Sequence, residues 1–393
     1  MTRVAIVDLL CSSPFYSAEL TEALGEAGLD AELASPLFYP EPDSLKSYRR
    51  APWILDLVVH ASRPRPLRLA LRLIEMTFNA RRLLARVAAG DYDVLDVQWI
   101  PFMDRTSFFM DVLRDRCDRS GTLLVYSAHN AVPHDRPGVK VGVLRRSLDR
   151  AHLIIAHAQH VAAELTLELG TETPVVSIPL GPQFLDRHLP PRADAARRLG
   201  CPPPPIVLFF GLIRPYKGMD LLAEAWPAVS SSFPEATLVI AGKVLGVDAA
   251  RELRALRSQP NVLVVDRYVP VARMLDYYAV SDIVVLPYRR ASQSAALMTA
   301  VSLARPTVVT PIAGLQEQVQ GLHSAVVADE VSGAALARAM TVGLKARRDL
   351  AAAAERDRDE LVRSPLGWTS VSRATARAYE AHRDLTRHSP RWR

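Results

Sequence analysis

The sequence predicts an α/β protein made of two domains, each with a doubly wound parallel sheet. Short, continuous apolar runs alternate with helical patterns along most of the chain, as is typical of strands buried between two layers of helices. The chain has 393 residues, enough for two such domains. A proline-rich stretch, with Pro202 to Pro205 in succession, separates two series of apolar runs and predicts a linker over residues 183–205.

The first series lies in residues 1–182 and opens with a strand, a helix and a second strand. The helical pattern starts at Pro14 and stops at Gly28, a common type of helix terminator. Because a strand–helix–strand opening begins a doubly wound sheet, we expect a Rossmann-like domain. The predicted strands are 3–7, 30–34, 93–99, 122–127, 151–156 and 174–179.

The second series lies in residues 206–365 and repeats the strand–helix pattern. It predicts a second Rossmann-like domain, and the two domains would face each other across a cleft between their sheet edges. Residues 366–393 follow as a C-terminal segment with a helix from Trp368 to Glu380. The predicted strands are 206–210, 237–241, 262–265, 282–287 and 307–310, and the predicted helices are 221–231, 248–259, 271–279 and 295–303.

Composition and charge narrow the class of protein. The net charge is +6, but basic residues do not alternate with aromatic residues as in a nucleic-acid reader, so we predict no nucleic-acid partner. No apolar run reaches the roughly 20 residues of a membrane-spanning helix, and the first run is too short for a signal peptide. Three widely spaced cysteines predict reduced thiols in a cytoplasmic protein.

A basic amphipathic helix is predicted over residues 66–86. Leu69, Leu73 and Met76 share one face, and Arg68 lies off it. The favoured interpretation is a surface helix whose apolar stripe packs on the sheet. The alternative is peripheral contact with an anionic membrane, at the inner face of the cell membrane.

The strongest candidate binding element is the strand–loop–helix unit at residues 206–226. Its loop carries two cations, Arg214 and Lys217, and Gly218 permits a positive φ or a close backbone approach. A basic loop between a buried strand and a helix, at the carboxyl edge of a parallel sheet, indicates an anion site. A plain surface loop is the alternative, since the sequence has neither a Gly-Lys-Ser/Thr motif nor a Gly-x-Gly-x-x-Gly fingerprint.

Candidate ligand contacts in the first domain lie where predicted strands end. His129 and Asn130 follow a buried strand directly, and an imidazole can donate a hydrogen bond to a hydroxyl group or accept one from it. A histidine that only caps its own loop is the alternative. The remaining candidates are Ser13, Phe15, Tyr16 and Trp99, and a plain connecting loop is the alternative for them.

Together these features resemble glycosyltransferases of the GT-B fold, specifically glycosyltransferase family 4, a large retaining family. The resemblance covers nearly the whole chain. It implies a nucleotide sugar bound mainly by the C-terminal domain, an acceptor bound mainly by the N-terminal domain, and a last helix (366–393) that crosses back to the N-terminal domain. It rests on Phe209-Phe210-Gly211 with Lys217-Gly218, Ala241-Gly242, Tyr268-Val269-Pro270, residues 281–287, residues 305–310 with Gly314, and His129-Asn130.

The resemblance also implies roles for single residues. Lys217 matches the family's lysine, and Arg214 stands in for an arginine that usually follows Gly211 directly. Negative charge grows on the departing diphosphate, and these cations would stabilise it without a metal. His129 would touch the donor sugar near the reaction centre. The donor contacts would be Gly211, Gly242, Tyr268, Val269, Ser292, Gln293, Ser294 and Thr299, and the acceptor contacts Ser13, Phe15, Tyr16, Trp99 and Asn130.

One departure from the family bears on the donor. Two glutamates, usually eight positions apart, correspond here to Ala291 and Thr299. The second normally binds ribose hydroxyls, and its loss removes a charge-assisted hydrogen bond of about 1.5 to 3 kcal/mol. A deoxythymidine diphosphate sugar has no 2′-hydroxyl, so its binding would be weakened less by the loss of this glutamate. Alternatively, Thr299 or nearby backbone serves a UDP or GDP sugar, so the base stays open between UDP, GDP and dTDP.

The resemblance therefore implies a retaining, metal-independent glycosyltransferase that moves a sugar from a nucleoside-diphosphate sugar to a hydroxyl of a small-molecule, saccharide or lipid-linked acceptor, as in polysaccharide or antibiotic biosynthesis. No cofactor and no metal are expected. The Asp-x-Asp pattern at Asp91-Tyr92-Asp93 precedes a strand, whereas a metal pair is expected where a strand ends. The alternative, suggested by the missing glutamates, is a catalytically impaired GT-B-fold nucleotide-binding or scaffold protein.

Overall fold

The computed structural model describes residues 1–58, 65–100, 103, 105–132 and 138–383. The chain divides into two compact units. The first comprises Met1–Gly181 and the C-terminal segment that starts at Pro365, and the second comprises Pro182–Ser364. Each unit contains one six-stranded sheet in which the strands pair in parallel. The predicted fold class, α/β with two doubly wound parallel sheets, is confirmed.

The first unit has the strand order β2-β1-β3-β4-β5-β6. Its inner strands are apolar on both faces because helices cover both sides of the sheet. The order reverses between β1 and β3, so the loops that follow these two strands diverge at the carboxyl edge, where sheets of this kind usually bind ligands. The elements are β1 (Arg3–Val7), α1 (Pro14–Glu26), β2 (Asp30–Ala34), α2 (Arg65–Ala88), β3 (Val94–Val97), α3 (Phe108–Ser120), β4 (Leu123–Ala128), α4 (Val141–Leu148), β5 (Leu153–Ala156), α5 (Gln159–Ala163, continued by a π turn Glu164–Glu168) and β6 (Val175–Ser177).

The second unit has the strand order β12-β11-β10-β7-β8-β9, and its order reverses between β7 and β10. A short 3₁₀ turn, Pro215–Lys217, lies between β7 and the next helix. The elements are α6 (Arg192–Leu199), β7 (Ile206–Phe210), α7 (Met219–Ser232), β8 (Thr237–Ala241), α8 (Val247–Arg257), β9 (Val262–Val265), α9 (Val271–Val280), β10 (Ile283–Leu286), α10 (Ala295–Ser302), β11 (Thr307–Val309), α11 (Ala313–Val319), β12 (Ala325–Val327), α12 (Gly333–Lys345) and α13 (Arg347–Leu361).

The last helix, α14 (Trp368–His382), packs against α1 in the first unit. It buries the side chains of Val371, Ala378 and Tyr379. The Tyr379 hydroxyl donates a hydrogen bond of 2.6 Å to Asp96 at the centre of the first sheet. A helix that comes from the end of the chain therefore completes the N-terminal unit.

Residues 183–205, predicted as a linker, contain α6 and belong to the second unit. Arg192 pairs with Asp282 at 2.8 Å, and Arg198 pairs with the buried carboxylate of Asp276. Proline and charge gave this stretch the composition of a linker. Its arginines instead fasten the helix to α9 and to the start of β10.

The expected packing of α2 is wrong. Leu69 and Leu73 are exposed. The helix buries Glu75 and Asn79 in this part instead, and Leu83 and Val87 farther along. These two polar side chains accept hydrogen bonds from backbone N–H groups of Leu55, Leu57 and Val58. The inward positions are thus polar because they satisfy a loop backbone that no strand satisfies. Apolar periodicity alone pointed to the wrong face.

Candidate functional site

The cationic loop of the second unit lies at the point where its strand order reverses. The loop after β7 carries Arg214 and Lys217, and the loop after β10 runs beside it through Pro287 to Ser294. The backbone N–H of Arg289 donates to the Tyr216 carbonyl at 2.9 Å, which joins the two loops. The Arg289 side chain also pairs with Asp220, on the first turn of α7.

Two glycines let backbone segments approach closely here. Gly218 has φ of +70°, and a Cβ atom at this position would lie 1.8 Å from the Pro287 carbonyl oxygen. A Cβ atom on Gly242 would lie 1.8 Å from the carbonyl oxygen of Gly211. Glycine is therefore required sterically at 218 and 242, because any side chain would push the loops at the strand ends apart.

Lys217 is half-buried, and its ammonium lies over aromatic rings. The Nζ atom is 3.8 Å from the centre of the Tyr288 ring and 5.2 Å from that of Tyr216. The pKa of Lys217 is lowered to about 8, mainly by burial and to a smaller extent by the neighbouring Arg214, while Tyr216 acts in the opposite direction. Among the described residues, the Lys217 ammonium pairs with no carboxylate, so this cation can pair with an anionic ligand.

The first turn of α10 borders the same crevice. Ser294 is its N-cap and accepts a hydrogen bond from Leu297 N–H at 3.2 Å. The side-chain carbonyl oxygen of Gln318 accepts a hydrogen bond from the backbone N–H of Ser294 at 2.7 Å. Ser292 is buried next to this cap and Gln293 is half-buried. The predicted donor contacts 292–294 therefore form the rigid start of a helix, which carries partial positive charge.

Positions 291 and 299, where the family's glutamates usually lie, sit on either side of this N-cap. Ala291 is half-buried in the loop, and Thr299 is buried in the second turn of α10. The Thr299 hydroxyl donates to the Ala295 carbonyl at 2.9 Å, so its oxygen keeps only acceptor capacity. Of the other predicted donor contacts, Val269 is buried and Tyr268 half-buried, just before α9.

In the first unit, predicted contacts meet across the reversal of strand order. Trp99 follows β3, and its indole N–H donates to the hydroxyl of Ser13, before α1, at 3.0 Å. The Trp99 ring stacks on His129, with a centroid distance of 5.1 Å and an interplanar angle of 4°. Tyr16 meets the same imidazole edge-on at 5.5 Å. The structure thus brings these four side chains together.

The His129 ring is held neutral at ordinary pH. Desolvation by burial lowers its pKa well below the usual value, and the neighbouring His157 lowers it further. The His129 Nε2 atom lies 3.1 Å from the side-chain carbonyl oxygen of Gln98. The two remaining predicted acceptor contacts are Phe15 and Asn130. Phe15 packs edge-on against Phe38, and Asn130 is half-buried beyond β4.

Sequence reasoning missed three side chains that shape these sites. Tyr288 supplies the ring under Lys217, Gln98 contacts His129, and Asp96 anchors Gln98. The available signal was position, since Gln98 and Tyr288 each directly follow a run of buried strand residues.

The outer face of α2 consists of five exposed apolar side chains: Leu67, Leu69, Leu73, Ile74 and Phe78. Their exposed fractions run from 40% for Phe78 to 63% for Leu69. Glu75 is the single acidic residue of α2 and is buried, so the exposed charges of the helix are arginines. A cavity of about 110 Å³ lies beside α2 and is lined mainly by apolar residues, among them Leu10, Leu37 and Phe38.

Other candidate features carry no ligand chemistry in the described ranges. Asp91 pairs with Arg86 and Asp93 with Arg3, so both carboxylates of the Asp-x-Asp pattern face arginines. Residues 1–58, 65–100, 103, 105–132 and 138–383 contain no group of three or more His, Cys, Asp or Glu suited to a metal ion. In these same ranges, no helix has the length and hydropathy needed to cross a bilayer.

A protein family is matched by most of the second unit. Residues 204–345 match the family described as glycosyl transferases group 1. This range contains the cationic loop, the paired glycines and α10. The predicted glycosyltransferase domain is thereby confirmed.

Curated relatives match over part of their length. The chain is 27% identical to the GDP-mannose:glycolipid 4-beta-D-mannosyltransferase of Xanthomonas campestris pv. campestris, over 55% of this chain and 61% of the relative. It is 30% identical to the D-inositol 3-phosphate glycosyltransferase 2 of Catenulispora acidiphila, over 59% of this chain and 56% of the relative. The chain thus spans less than two thirds of the length of these relatives.

Solved structures match over nearly the whole chain. Sucrose-phosphate synthase from Thermosynechococcus elongatus aligns with a TM-score of 0.71 at 18% identity, over 99% of this chain and 100% of the other. HepE of Anabaena, solved in complex with UDP-glucose, aligns with a TM-score of 0.72 at 14% identity, over 97% and 100%. At such identities the likeness shows the fold. The chain therefore has the GT-B fold, and residues 204–345 of its second unit match the family described as glycosyl transferases group 1.

Proposed function

We propose that the chain is a retaining, metal-independent glycosyltransferase that moves a sugar from a nucleoside-diphosphate sugar to an acceptor hydroxyl. One observation carries the proposal. In the unit that matches the family, the half-buried Lys217 ammonium lies at the strand reversal and pairs with no carboxylate among the described residues. An uncompensated cation in such a crevice suits a diphosphate.

Charge balance supports departure of a diphosphate from this site. As the bond between sugar and phosphate breaks, negative charge grows on the phosphate oxygens. Lys217, Arg214 and the first turn of α10 would stabilise that charge in place of a metal ion. Asp220, the nearest acidic residue in the loop sequence, is paired with Arg289 and does not neutralise Lys217. Retention would follow from attack on the face that the diphosphate leaves, with a phosphate oxygen accepting the proton of the hydroxyl.

The donor would bind in the second unit and the acceptor in the first. Matched proteins are named for activity on, or were solved with, GDP-mannose and UDP-glucose, which supports a sugar nucleotide as donor. The Trp99, Ser13, Tyr16 and His129 cluster supplies polar and aromatic surface suited to an acceptor or a sugar ring.

Binding of nucleoside diphosphates gives the first test. We would measure the thermal shift caused by UDP, GDP and dTDP, with and without EDTA, for the wild type, Lys217→Met and Lys345→Met. Lys345 is exposed at the end of α12 and serves as the matched control. We expect one base to stabilise the wild type and the control equally, insensitively to EDTA, and Lys217→Met to lose most of the shift. A shift abolished by EDTA would contradict metal independence.

A measurement of turnover distinguishes the transferase from the alternative, a catalytically impaired scaffold. The alternative is suggested by Ala291 and Thr299, which stand where the family usually has its two glutamates. With the sugar nucleotide identified by the thermal shift, NMR would follow release of the free sugar and its anomeric form when no acceptor is present. Release with the donor's configuration supports a retaining enzyme. Binding with no release, with any acceptor offered, would favour the scaffold.

We further propose that the outer face of α2 rests on an anionic membrane and that the acceptor is lipid-linked. The same helix carries the exposed Arg81, and also Arg72 and Arg82, which are exposed and donate hydrogen bonds to the carbonyls of Leu10 and Trp53. Apolar burial combined with cations is the chemistry that holds a helix at an anionic lipid surface. The apolar cavity beside α2 would suit part of a lipid, and one matched relative is named for a glycolipid acceptor.

Vesicle sedimentation tests the membrane contact. We expect binding to vesicles of phosphatidylglycerol mixed with phosphatidylcholine and little binding to phosphatidylcholine alone. The double variant Leu73→Ser/Ile74→Ser should lose most of the binding. Val342→Ser, which removes an equally exposed apolar side chain from α12, should keep it. Equal binding by all three proteins would overturn the contact through α2.

A further inference from the structure

A buried carboxylate in the first unit organises a chain of hydrogen bonds that ends at His129. Asp96 has no exposed surface and accepts hydrogen bonds from three groups. The Tyr379 hydroxyl donates at 2.6 Å, the Ser127 hydroxyl at 2.8 Å and the Gln98 amide nitrogen at 2.9 Å. An ionised carboxylate only accepts, so it fixes the direction of every one of these bonds.

The direction of the Gln98 amide follows from Asp96. Gln98 is fully buried, and its NH₂ group must face the carboxylate. Its carbonyl oxygen then faces the Nε2 atom of His129 at 3.1 Å. Because a carbonyl oxygen cannot donate, Nε2 must carry the hydrogen. The neutral imidazole therefore has its lone pair on Nδ1.

The plane of the imidazole is fixed as well. Trp99 stacks on it in nearly parallel orientation, and the indole is itself held by Ser13. Tyr16 meets the imidazole edge-on, and Trp368 of α14 lies 5.7 Å from Tyr16. Ring plane and protonated nitrogen are thus both set by neighbours that include the C-terminal helix.

We propose that Gln98 and Asp96 are positioning residues that hold His129 as the Nε2–H tautomer, and that Tyr379 of the C-terminal helix is part of this arrangement. This inference rests on the proposed function in so far as His129 meets a sugar. In this tautomer, Nδ1 can accept a hydrogen bond but cannot donate one to a carbonyl or phosphate oxygen.

The tautomer can be measured without any activity. Protein labelled with ¹⁵N-histidine would be studied by long-range ¹H–¹⁵N NMR near pH 7.5, with His129→Gln to assign the ring signals. We expect a protonated Nε2 and an unprotonated Nδ1 in the wild type. Gln98→Met, which removes the acceptor, should give a mixture of tautomers or the opposite one. Asp96→Asn, which frees the Gln98 amide to turn over, should do the same.

Ser147→Ala is the matched control, because it removes a buried hydroxyl of the same unit that bonds to Met103 and Val143 carbonyls. Its His129 signals should match the wild type. A wild-type ring protonated at Nδ1 would overturn the proposal even if no variant folds. An unchanged tautomer in Gln98→Met would overturn it too. If the protein proves to be a transferase, Gln98→Met should lower kcat or raise acceptor KM by at least tenfold, whereas a protein without turnover leaves the NMR result standing.

Discussion

The ammonium nitrogen of Lys217 lies 3.8 Å from the centre of the Tyr288 ring. Tyr288 has no exposed surface, so its ring is enclosed by neighbouring side chains, and its backbone carbonyl oxygen accepts a hydrogen bond from the Thr310 hydroxyl at 2.5 Å. A cation over an aromatic face is stabilised by about 0.5 to 2 kcal/mol. A charge-assisted hydrogen bond to an anion is a stronger interaction. Lys217 is therefore held in place while still able to pair with an anion.

The affinity for a nucleoside diphosphate should fall as the pH rises through about 8. Burial lowers the pKa of Lys217 to about 8, so the lysine loses its charge there rather than near its usual value. A bound diphosphate favours the charged lysine, so the midpoint should lie somewhat higher in the complex. Lys217→Met should remove this pH dependence and weaken binding by about 1.5 to 3 kcal/mol, roughly tenfold to a hundredfold. Titration calorimetry from about pH 7 to 9 gives both quantities.

Lys345→Met is the control, and its binding should follow the wild type at every pH. A wild-type affinity that stays flat up to about pH 9 would show that Lys217 does not contact the phosphates. Equal losses in the two lysine variants would point to a general effect of net charge instead.

Gly218→Ala should destabilise the second unit by about 2 to 5 kcal/mol. The left-handed backbone costs a residue with a side chain about 1 to 2 kcal/mol, and overpacking adds about 1 to 3 kcal/mol. The overpacking arises because the new Cβ atom meets the Pro287 carbonyl oxygen. Gly200→Ala is the matched comparison, since Gly200 has the same left-handed backbone, with φ of +62°, and open space around it, and it should lose only the backbone part.

Hydrogen exchange of β7 and β10 amides would measure both losses within the second unit. The argument from close packing fails if the two glycine variants are equally stable. Nucleotide binding by Gly218→Ala should also weaken, because the displaced loop carries Lys217.

The strands were largely predictable because strands that are buried on both faces consist of nearly continuous apolar residues. The anion loop was predictable for a related reason, since Gly211, Arg214, Lys217 and Gly218 lie close together in the chain. The packing of α2 was not predictable, because Glu75 and Asn79 point inward to satisfy a distant loop.

Contacts between residues far apart in the chain could not be predicted from the sequence either. Tyr379 reaches Asp96 across 283 positions, and Tyr288 meets Lys217 across more than sixty. A lone glutamine or tyrosine at the end of a strand has many roles open to it. The direction of the Gln98 amide depends on a carboxylate that also accepts a hydrogen bond from the last helix.

Tyr379→Phe should destabilise the first unit more at about pH 8 than at about pH 5. The pKa of Asp96 is raised to about 6, because burial outweighs the hydrogen bonds that lower it, among them the one from Tyr379. With a folded pKa above the unfolded one, the unit loses stability as the pH rises from about 4 through 6. Removing the tyrosine hydroxyl raises the Asp96 pKa further and enlarges that loss. We expect a cost of about 1.5 to 3 kcal/mol with the carboxylate charged and about 0.5 to 1.5 kcal/mol with it neutral.

Exchange of β3 amide protons at both pH values would report this difference within the first unit. Ser147→Ala again serves as control, because its partners are backbone carbonyls that do not titrate. A cost for Tyr379→Phe that is the same at both pH values would mean that Asp96 does not change its charge in this range.

Tyr278→Phe makes the same chemical change in the second unit, but it should stabilise that unit rather than destabilise it. The Tyr278 ring is fully buried against Phe210, with a centroid distance of 5.5 Å, so the packing of the ring stays. Its hydroxyl is buried without a hydrogen-bond partner among the described residues. A buried, unpaired hydroxyl costs about 1 to 3 kcal/mol, so its removal should stabilise the unit by a similar amount. Exchange of β7 amides would measure the gain, and a loss of stability would show that the hydroxyl bonds to a buried water instead.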